Sequence, residues 1–475
     1  MKNDLTEGKI TGTLVKLAMP IMATSIVQMA YNMTDLIWLG RLGSKAVAAV
    51  GTAGFFTWFG FAFILISKVG AEISVSQSLG RKNLIDAREY ARNALYLVLF
   101  FAVFWMTVLL IFNREFIGFF QISEASVNEM ACTYLSIVAL GIVFSFLTMV
   151  FTGIYNGCGD SRTPFYITTA ALLLNIVLDP LLIFGIGPFP VMGVSGAAIS
   201  TVLAQGISTL VFLLLFLTNR SPFPDFHFLK RPRFSYIKRV FQLGLPVALE
   251  SAGFTIFSIF LARIISRWGA LPIAVQRIGA QIEAISWMSA SGFATALSAI
   301  VGQNFGARQW ARIWHSYFSA LKIVMLIGAI STFLFLVFPK QIFSLFLPEK
   351  EAVIQGAVYL RILGVSQIFM CIEIISAGGF KGMGRTIPPT IISLSLTGLR
   401  IPLALLLSSY PLFGLNGVWW SMSITSIFKG LILVTWFLLF LHSHPCIVSS
   451  LDDIPRLLAW NSRYLRDKRS FSGKC

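Results

Sequence analysis

The sequence has few charged residues, and acidic ones are the scarcest. Only 12% of its 475 residues are Asp, Glu, Lys or Arg, about half the share found in a soluble domain. The chain is instead 56% hydrophobic, with a mean hydropathy of +0.79. This composition excludes an ordinary soluble globular protein.

Cysteine and histidine are also rare, and neither type is arranged as a functional site. The four histidines include His442 and His444, which could bind a metal weakly but are better explained as a solvated exit from the membrane. The five cysteines lack the spacing of a zinc site or a redox pair: Cys132, Cys158, Cys371, Cys446 and Cys475. The sequence therefore predicts no disulfide framework and no metal centre, apart from the Na⁺ considered below.

Motifs of catalysis and nucleotide binding are missing as well. The chain has no HExxH motif, no arrangement that suggests a serine or cysteine nucleophile, and no glycine-rich nucleotide loop. An ATP-driven pump is therefore disfavoured, and no organic cofactor is expected. An intramembrane enzyme remains an alternative. Such an enzyme would convert its substrate without an ion gradient, whereas a transporter would exchange its substrate against one.

Long apolar runs dominate what is present. Each run has about twenty residues, enough for a helix to cross a hydrocarbon core of about 30 Å, and no alternating ten-residue strands suggest a barrel. The sequence predicts an all-α polytopic membrane protein with twelve spans. The predicted spans are 14–38, 47–70, 94–112, 131–153, 164–186, 193–217, 241–262, 272–299, 317–338, 356–379, 387–408 and 414–441.

Basic residues outnumber acidic ones, 37 to 20, and they collect in alternate loops. Since Lys and Arg concentrate on the cytoplasmic side of membrane proteins, both termini are predicted to lie in the cytoplasm of a multi-pass protein of the cell membrane. The net charge of +17 then reflects topology and anionic lipids rather than nucleic acid. The basic groups are Lys2, Lys9 and Lys16; Arg81, Lys82, Arg88 and Arg92; Lys230, Arg231, Arg233, Lys238 and Arg239; and Arg456, Arg463, Arg466, Lys468 and Arg469.

The two halves of the sequence resemble each other. Four matches occur in the same order, at separations that drift only from 226 to 221 residues. They pair "LAMP" with "LGLP", "QSLGRKN" with "QNFGARQ", "NGCGDSRTP" with "KGMGRTIP", and "GVSGAAIS" with "GLNGVWWS". Since six spans return the chain to the same side, the repeats are parallel, a design that suits alternating access. Duplicated bundles also build channels and scaffolds, so the repeat alone leaves these alternatives to a transporter open.

The repeat divides the chain into four predicted segments. They are an N-terminal six-helix bundle at 1–218, a basic cytoplasmic linker at 219–239, a C-terminal six-helix bundle at 240–442 and a basic cytoplasmic tail at 443–475.

Polar residues line one face of three spans in the first half. They are Ser25, Gln28, Asn32 and Asp35 in span one, Thr168, Asn175 and Asp179 in span five, and Thr201 and Gln205 in span six. A carboxylate within a bilayer costs about 2.5–3.5 kcal/mol on insertion scales, which a water-filled cavity, a cation or a shared proton can offset. Asp35 could alternatively reach interfacial water, and Asn32 could merely bond a neighbouring helix. The methionines beside this stripe, Met33 among them, suit either a ligand pocket or helix packing.

The second half has weaker candidates. They are Glu250, Gln276, Arg277, Gln281, Glu283 and Glu373. An Arg–Glu pair could line the second bundle or hold it together, and the sequence leaves both open. The carboxylates of the first half have no counterparts at matching positions: Asp35 corresponds to Leu261, Asp179 to Ile401 and Asn175 to about Thr397. We therefore expect a coupling ion to bind in the first bundle alone.

Four stretches carry a family resemblance. The segments "QMAYNMTDLIWLGRLG", "NGCGDSRTP", "LNIVLDPLLIFG" and "MGVSGAAIST" resemble the multidrug and toxic compound extrusion (MATE) family. They are most similar to the branch that contains the DNA-damage-inducible bacterial members and archaeal relatives. The resemblance covers nearly the whole chain.

The resemblance implies a secondary transporter. Two bundles would form a V-shaped cavity from which an organic, often cationic, compound leaves as Na⁺ or H⁺ enters, with no cofactor and no need for a second subunit. The coupling-ion site of the branch matches Asp35, Asn175, Asp179 and Thr201, with Tyr31 and Asn32 beside it.

One departure limits the resemblance. Another branch has a glutamate where this chain has Phe254, so Glu250 does not inherit its role. The runner-up is a lipid-linked oligosaccharide flippase of the same superfamily, although the first bundle lacks the many arginines expected of one.

Overall fold

The apolar runs of the sequence form long helices. The computed structural model describes residues 4–120, 122, 124–218, 220–346, 349–409 and 413–443. The helices of the first half are α1 (Ile10–Leu42), α2 (Ser44–Gly80), α3 (Leu84–Ile111), α4 (Asn113–Gly118), α5 (Ala125–Gly157), α6 (Arg162–Phe184) and α7 (Val194–Leu217). Those of the second half are α8 (Phe234–Ile265), α9 (Ala270–Gly306), α10 (Trp310–Val337), α11 (Pro339–Ser344), α12 (Lys350–Gly364), α13 (Gln367–Gly382), α14 (Ile387–Ser409) and α15 (Gly414–His442).

These helices provide twelve possible membrane spans. Among the described residues, eleven helices are long and apolar enough, and the bent pair α12 and α13 supplies a twelfth span. The short helices α4 and α11 occupy equivalent places in the two halves. The predicted all-α fold, with twelve spans in two repeats of six, is confirmed.

The predicted tenth span, 356–379, is two helices rather than one. Helices α12 and α13 meet at a 49° bend. Irregular backbone at membrane depth must be satisfied by protein groups, and three carbonyls at this bend accept side-chain hydrogen bonds. Thr332 donates to Gly364 at 2.8 Å, Ser423 to Ile362 at 2.9 Å and Gln367 to Leu363 at 3.3 Å. Two of these donors come from neighbouring helices, α10 and α15, so packing supports a break that no proline marks.

The two bundles meet where α1 and α8 begin and α2 and α9 end. We call this the basic end, because two basic stretches lie there: the second loop, which joins α2 to α3, and the central segment, which is the predicted linker at 219–239. Glycines allow helices of different bundles to touch through their backbones. A Cβ added at Gly80 would collide with the carbonyl oxygen of Gln303, and one added at Gly306 would collide with that of Gln77.

Helices α1 and α8 each pack against both bundles. Leu14, Leu17 and Ala18 of α1 belong to the hydrophobic core of the second bundle, whereas the same helix also packs along α6 of the first. Val240 and Ala248 of α8 belong to the core of the first bundle, and α8 also packs against α14. The two halves are therefore interlocked at the basic end.

The described part of the central segment 219–239 lies against the first bundle. Phe223 and Phe226 are buried in the core of that bundle. The backbone N–H of Arg233 donates to Asn93 of α3 at 2.8 Å. The described part of the segment is therefore packed against the first bundle. The predicted tail at 443–475 lies outside the described residues except for Ser443.

Candidate functional site

Helices α1 and α6 bring two acidic side chains together inside the first bundle. Asp35 of α1 and Asp179 of α6 lie close enough to interact electrostatically. Asp179 is fully buried and Asp35 is partly buried. Neither takes part in an ion pair within the described residues. Because two buried carboxylates repel each other when both are ionised, this pair favours a bound cation or proton.

Several polar atoms around the acids have no partner. Among the described side chains, Oδ1 of Asp35, Oδ2 of Asp179 and both amide atoms of Asn175 are buried without a hydrogen bond. An unsatisfied buried polar group costs about 1–3 kcal/mol. Such a concentration is explained when a ligand supplies the missing contacts. The available oxygens are carboxylate and amide oxygens, which are ligands of hard cations.

Helix α7 completes one side of this group. Ser200 donates a hydrogen bond to Asp179, and the next residue, Thr201, lies 3.3 Å from the hydroxyl of Tyr31 on α1. The Tyr134 side chain of α5 lies within electrostatic range of both acids. We call Tyr31, Asp35, Asn175, Asp179 and Thr201 the acid-pair site.

A cavity of about 320 Å³ begins one helical turn from the acids. Three members of the acid-pair site, Tyr31, Asn175 and Thr201, line it, and Gln28 and Gln205 do so as well. Residues of α9, in the second bundle, line it too. They are Trp287, Met288, Ser291 and Thr295. The cavity therefore lies between the bundles and shares part of its wall with the acid-pair site.

Two other predicted residues of the first bundle, Asn32 and Met33, lie away from the cavity. Asn32 and Met33 are exposed and are not among the residues that line the cavity. Asn32 accepts a hydrogen bond from Gln28 at 3.2 Å. The polar stripe of α1 thus divides into a part that faces the cavity and a part that does not.

The candidate residues in the first half of α9 divide between exposed and buried positions. Arg277 and Gln281 are exposed, whereas Glu283 is buried. Glu283 accepts hydrogen bonds from Tyr359 at 2.6 Å and from Gln367 at 3.2 Å. A helix turns about 100° per residue, so neighbours in the sequence face different surroundings.

The ion pair inside the second bundle uses lysine rather than arginine. Glu373 of α13 pairs with Lys429 of α15 at 2.9 Å. Arg400 of α14 instead donates to Thr425 at 2.8 Å and to Ser426 at 2.9 Å. Two remaining candidates, Glu250 and Gln276, each have one buried oxygen without a partner. Protein groups therefore hold Glu283 and Glu373, whereas Asp35, Asp179 and Glu250 each keep a buried oxygen without a partner among the described residues.

The counterparts of the acid pair in the second bundle are apolar and touch one hydrophobic cluster. Leu261 matches Asp35 and is a member of that cluster, and Ile401, which matches Asp179, packs against it. Met422, which matches Thr201 at the separation of 221 residues set by Gly193 and Gly414, packs there too. The duplicated scaffold thus holds a polar site in one half and a hydrophobic contact in the other.

Sequence reasoning missed several of these residues. Ser200 directly precedes the predicted Thr201 in the "GAAIST" segment, and this position could have identified it as a site residue. Lys68, Arg400 and Lys429 are basic residues within apolar spans, a recognisable sign of a functional or paired charge. Tyr134 gave no such signal, because its approach to the acids depends on how α5 packs.

Comparisons with known proteins point to one family. The family model described as MatE matches residues 20–181 and 246–406. A relative from Thermotoga maritima, described as "Probable multidrug resistance protein NorM", is 29% identical over 433 residues, which cover 90% of this chain and 92% of the relative.

Solved structures agree with this. A MOP superfamily transporter from Pyrococcus furiosus is similar at 25% identity with a TM-score of 0.85, over 93% of this chain and 98% of that one. The same values are found for a structure described as an outward-facing conformation of a multidrug resistance MATE family transporter.

Proposed function

The chain belongs to the MatE family of membrane transporters, and we propose that it exports small organic compounds in exchange for Na⁺ or H⁺, which binds at the acid-pair site. The observation that carries this proposal is the group of buried, unpartnered polar atoms of Asp35, Asn175 and Asp179. The finer placement in the branch with the DNA-damage-inducible members, and action as a monomer without a cofactor, remain predictions.

Cation binding would remove the main electrostatic cost of the site. A Na⁺ between Asp35 and Asp179 would satisfy an oxygen of each, with the amide oxygen of Asn175 and the hydroxyl of Thr201 as further ligands. A proton on one acid would relieve the same repulsion. Both ions therefore fit the chemistry, and the acid-pair site would serve as the entry point of either one.

Ion and substrate would be coupled through a shared wall. Tyr31, Asn175 and Thr201 belong both to the acid-pair site and to the lining of the cavity. A ligand shifts a conformational equilibrium only when it binds the two states with different affinity. Cation binding that draws α1 towards α6 and α7 would reshape this wall and so change the affinity of the cavity for its substrate.

The closed basic end fits one state of an alternating-access cycle. We assign the basic end to the cytoplasm, because it carries the clustered Lys and Arg residues of the second loop and central segment. With the bundles in contact there, substrate would leave on the opposite side. The likeness to a transporter described as outward-facing supports this assignment.

Transport by purified protein in liposomes tests the proposal. Dye movement is measured under an imposed Na⁺ gradient, under a pH gradient and under neither. We expect one of the two gradients to drive export by the wild type, and Asp179→Asn to abolish the gradient-dependent part.

The matched control is Glu129→Gln, which neutralises an exposed acid of α5 in the same bundle and should leave export intact. Circular dichroism and size-exclusion profiles would establish that both variants are folded. Wild-type export by Asp179→Asn under the same gradient would refute the assignment of the site.

A further inference from the structure

One charged residue faces the cavity. Of the described residues that line it, Lys68 of α2 alone has a charged side chain. The rest of the lining is neutral and mostly apolar in surface, but it includes hydroxyl groups such as those of Thr152, Ser161 and Thr295 and the amide of Asn156. Asp35 and Asp179 lie one helical turn beyond Tyr31 and Asn175, respectively, and are not part of the lining. Lys68 is therefore the basic group that the described lining presents to a bound compound.

Close packing of α2 on α5 holds this lysine in place. A Cβ added at Gly153 would lie 2.8 Å from the carbonyl oxygen of Lys68 and 2.9 Å from its Cγ. One added at Gly157 would lie 2.6 Å from the carbonyl oxygen of Glu72. The two glycines, four residues apart, thus form a groove for the segment of α2 that carries Lys68, and its aliphatic stem rests against this groove.

The ammonium group of Lys68 has no ionic partner among the described residues. Their ion pairs, defined by an N–O distance of up to 4.0 Å, are Lys45–Glu124, Arg92–Glu89 and Lys429–Glu373. Its nearest acid in sequence, Glu72, lies one turn further along α2 and is buried.

Glu72 is shared between two lysines. It interacts electrostatically with Lys381 of the second bundle as well as with Lys68. The three groups together, two lysines and one glutamate, bear one net positive charge when all are ionised. A lysine without a partner inside a membrane protein is costly, and packing alone does not explain a charged group directed at a cavity.

We propose that Lys68 binds an acidic group, a carboxylate or a phosphate, of the exported compound. The inference rests on the proposed function and specifies its substrate class: organic anions and zwitterions rather than simple organic cations. Lys68 supplies the charge-assisted hydrogen bond, and the amide of Asn156 and the hydroxyl of Thr295, which also line the cavity, can donate further hydrogen bonds. The resemblance of the sequence to its family led us to expect cationic compounds, and the lining of this cavity points to the opposite charge.

Pairs of fluorescent dyes that differ only in the acidic group test this inference. One pair is a rhodamine with a free carboxylate and its ethyl ester. The other is 4-methylumbelliferyl phosphate and 4-methylumbelliferone. Equilibrium binding to the detergent-purified full chain is measured by fluorescence polarisation, and export is measured in liposomes under the coupling gradient.

We expect the wild type to bind at least one acidic dye about tenfold more tightly than its partner, the effect of one hydrogen bond to a charged group. Lys68→Gln should bring that ratio to about one, whereas Lys68→Arg should retain most of it. The matched control Lys45→Gln removes an exposed lysine and should leave the ratio unchanged. The two arms show whether the carboxylate or the phosphate is preferred.

Equal affinity within both pairs, preference for the ester and the phenol, or an unchanged ratio in a folded Lys68→Gln protein would each overturn the inference. So would the absence of binding by all four dyes. These outcomes are separate from failure of the proposed function, which is shown by binding without gradient-driven export. Preserved secondary structure in Lys68→Arg and Lys68→Gln guards against loss of folding.

Discussion

Gln77 of the first bundle donates a hydrogen bond from its side-chain amide to the carbonyl oxygen of Gly382 in the second, at 3.0 Å. Gln303 of the second bundle, its counterpart in the repeat, donates an equivalent hydrogen bond to the carbonyl oxygen of Gly157 in the first, at 3.1 Å. Gly157 and Gly382 are themselves equivalent, at the ends of α5 and α13. The basic end is therefore closed by a reciprocal pair of hydrogen bonds about a pseudo-twofold axis.

Replacing both glutamines should favour a state in which the basic end is open. Each buried hydrogen bond contributes about 1 kcal/mol, so Gln77→Ala with Gln303→Ala should shift the equilibrium by roughly 30-fold. Pulsed electron paramagnetic resonance between spin labels at Leu229 and Ser443, both exposed near the basic end, should then show a longer distance. Gln341→Ala, an exposed glutamine on α11, is the control. An unchanged distance distribution in the double variant would show that these bonds do not hold the bundles together.

Two glycine-to-alanine changes should affect stability in opposite directions. Alanine in a helix interior is favoured over glycine by about 1 kcal/mol. Gly54→Ala, where the added methyl group meets nothing within 4 Å, should leave the melting temperature in detergent unchanged or raised. Gly306→Ala should lower it, because its Cβ would collide with the carbonyl oxygen of Gln77. Equal melting temperatures for the two variants would mean that the close crossing of α2 and α9 is dispensable.

The orientation in the membrane can be checked with single cysteines in a cysteine-free background. Leu229 of the central segment is 99% exposed, and Val191, between α6 and α7 at the opposite end, is 75% exposed. We expect Leu229→Cys to react with an impermeant thiol reagent only in inside-out vesicles, and Val191→Cys to react in intact cells. Labelling of both positions from the same side would be incompatible with the twelve-span arrangement.

Much of the fold follows from patterns that a single sequence carries. Apolar runs, basic loops and the repeat predict twelve spans in two halves. The same local separations predict that Asp35 and Asp179 correspond to Leu261 and Ile401. In the structure the latter pair meets in one apolar cluster, which agrees with equivalent positions in a common scaffold.

What the sequence does not predict depends on contacts between helices. The bend between α12 and α13 has no proline, and the donors that support it, Thr332 and Ser423, lie far away in the sequence. The sequence shows Lys68 only as a lysine in a long apolar run, and it does not show that this residue lines a cavity. Periodicity gives the face of a helix, but its rotation against neighbours is set by tertiary packing.

The asymmetry between the bundles leads to a prediction about coupling. In the second bundle Glu283 is hydrogen-bonded by Tyr359 and Gln367, and Glu373 is paired with Lys429. Protein groups therefore already compensate these charges, and binding an ion there would require breaking existing contacts. The acids of the first bundle have buried oxygens without partners, so an ion adds contacts without removing any.

Charge-neutralising changes in the two bundles should therefore have different consequences. Asp35→Asn and Asp179→Asn should eliminate ion-dependent export, and they should leave thermal stability little changed because no ion pair is lost. Glu373→Gln should retain ion dependence but lose stability, since removing one partner of a buried ion pair costs about 3–5 kcal/mol. Glu250→Gln and Glu283→Gln should weaken export or alter substrate preference without removing the response to the gradient. The comparison requires export and melting temperature from the same preparations, so that a folding defect is not mistaken for lost coupling. If any change in the second bundle removes ion coupling while Asp35→Asn and Asp179→Asn retain it, the coupling ion does not bind in the first bundle alone.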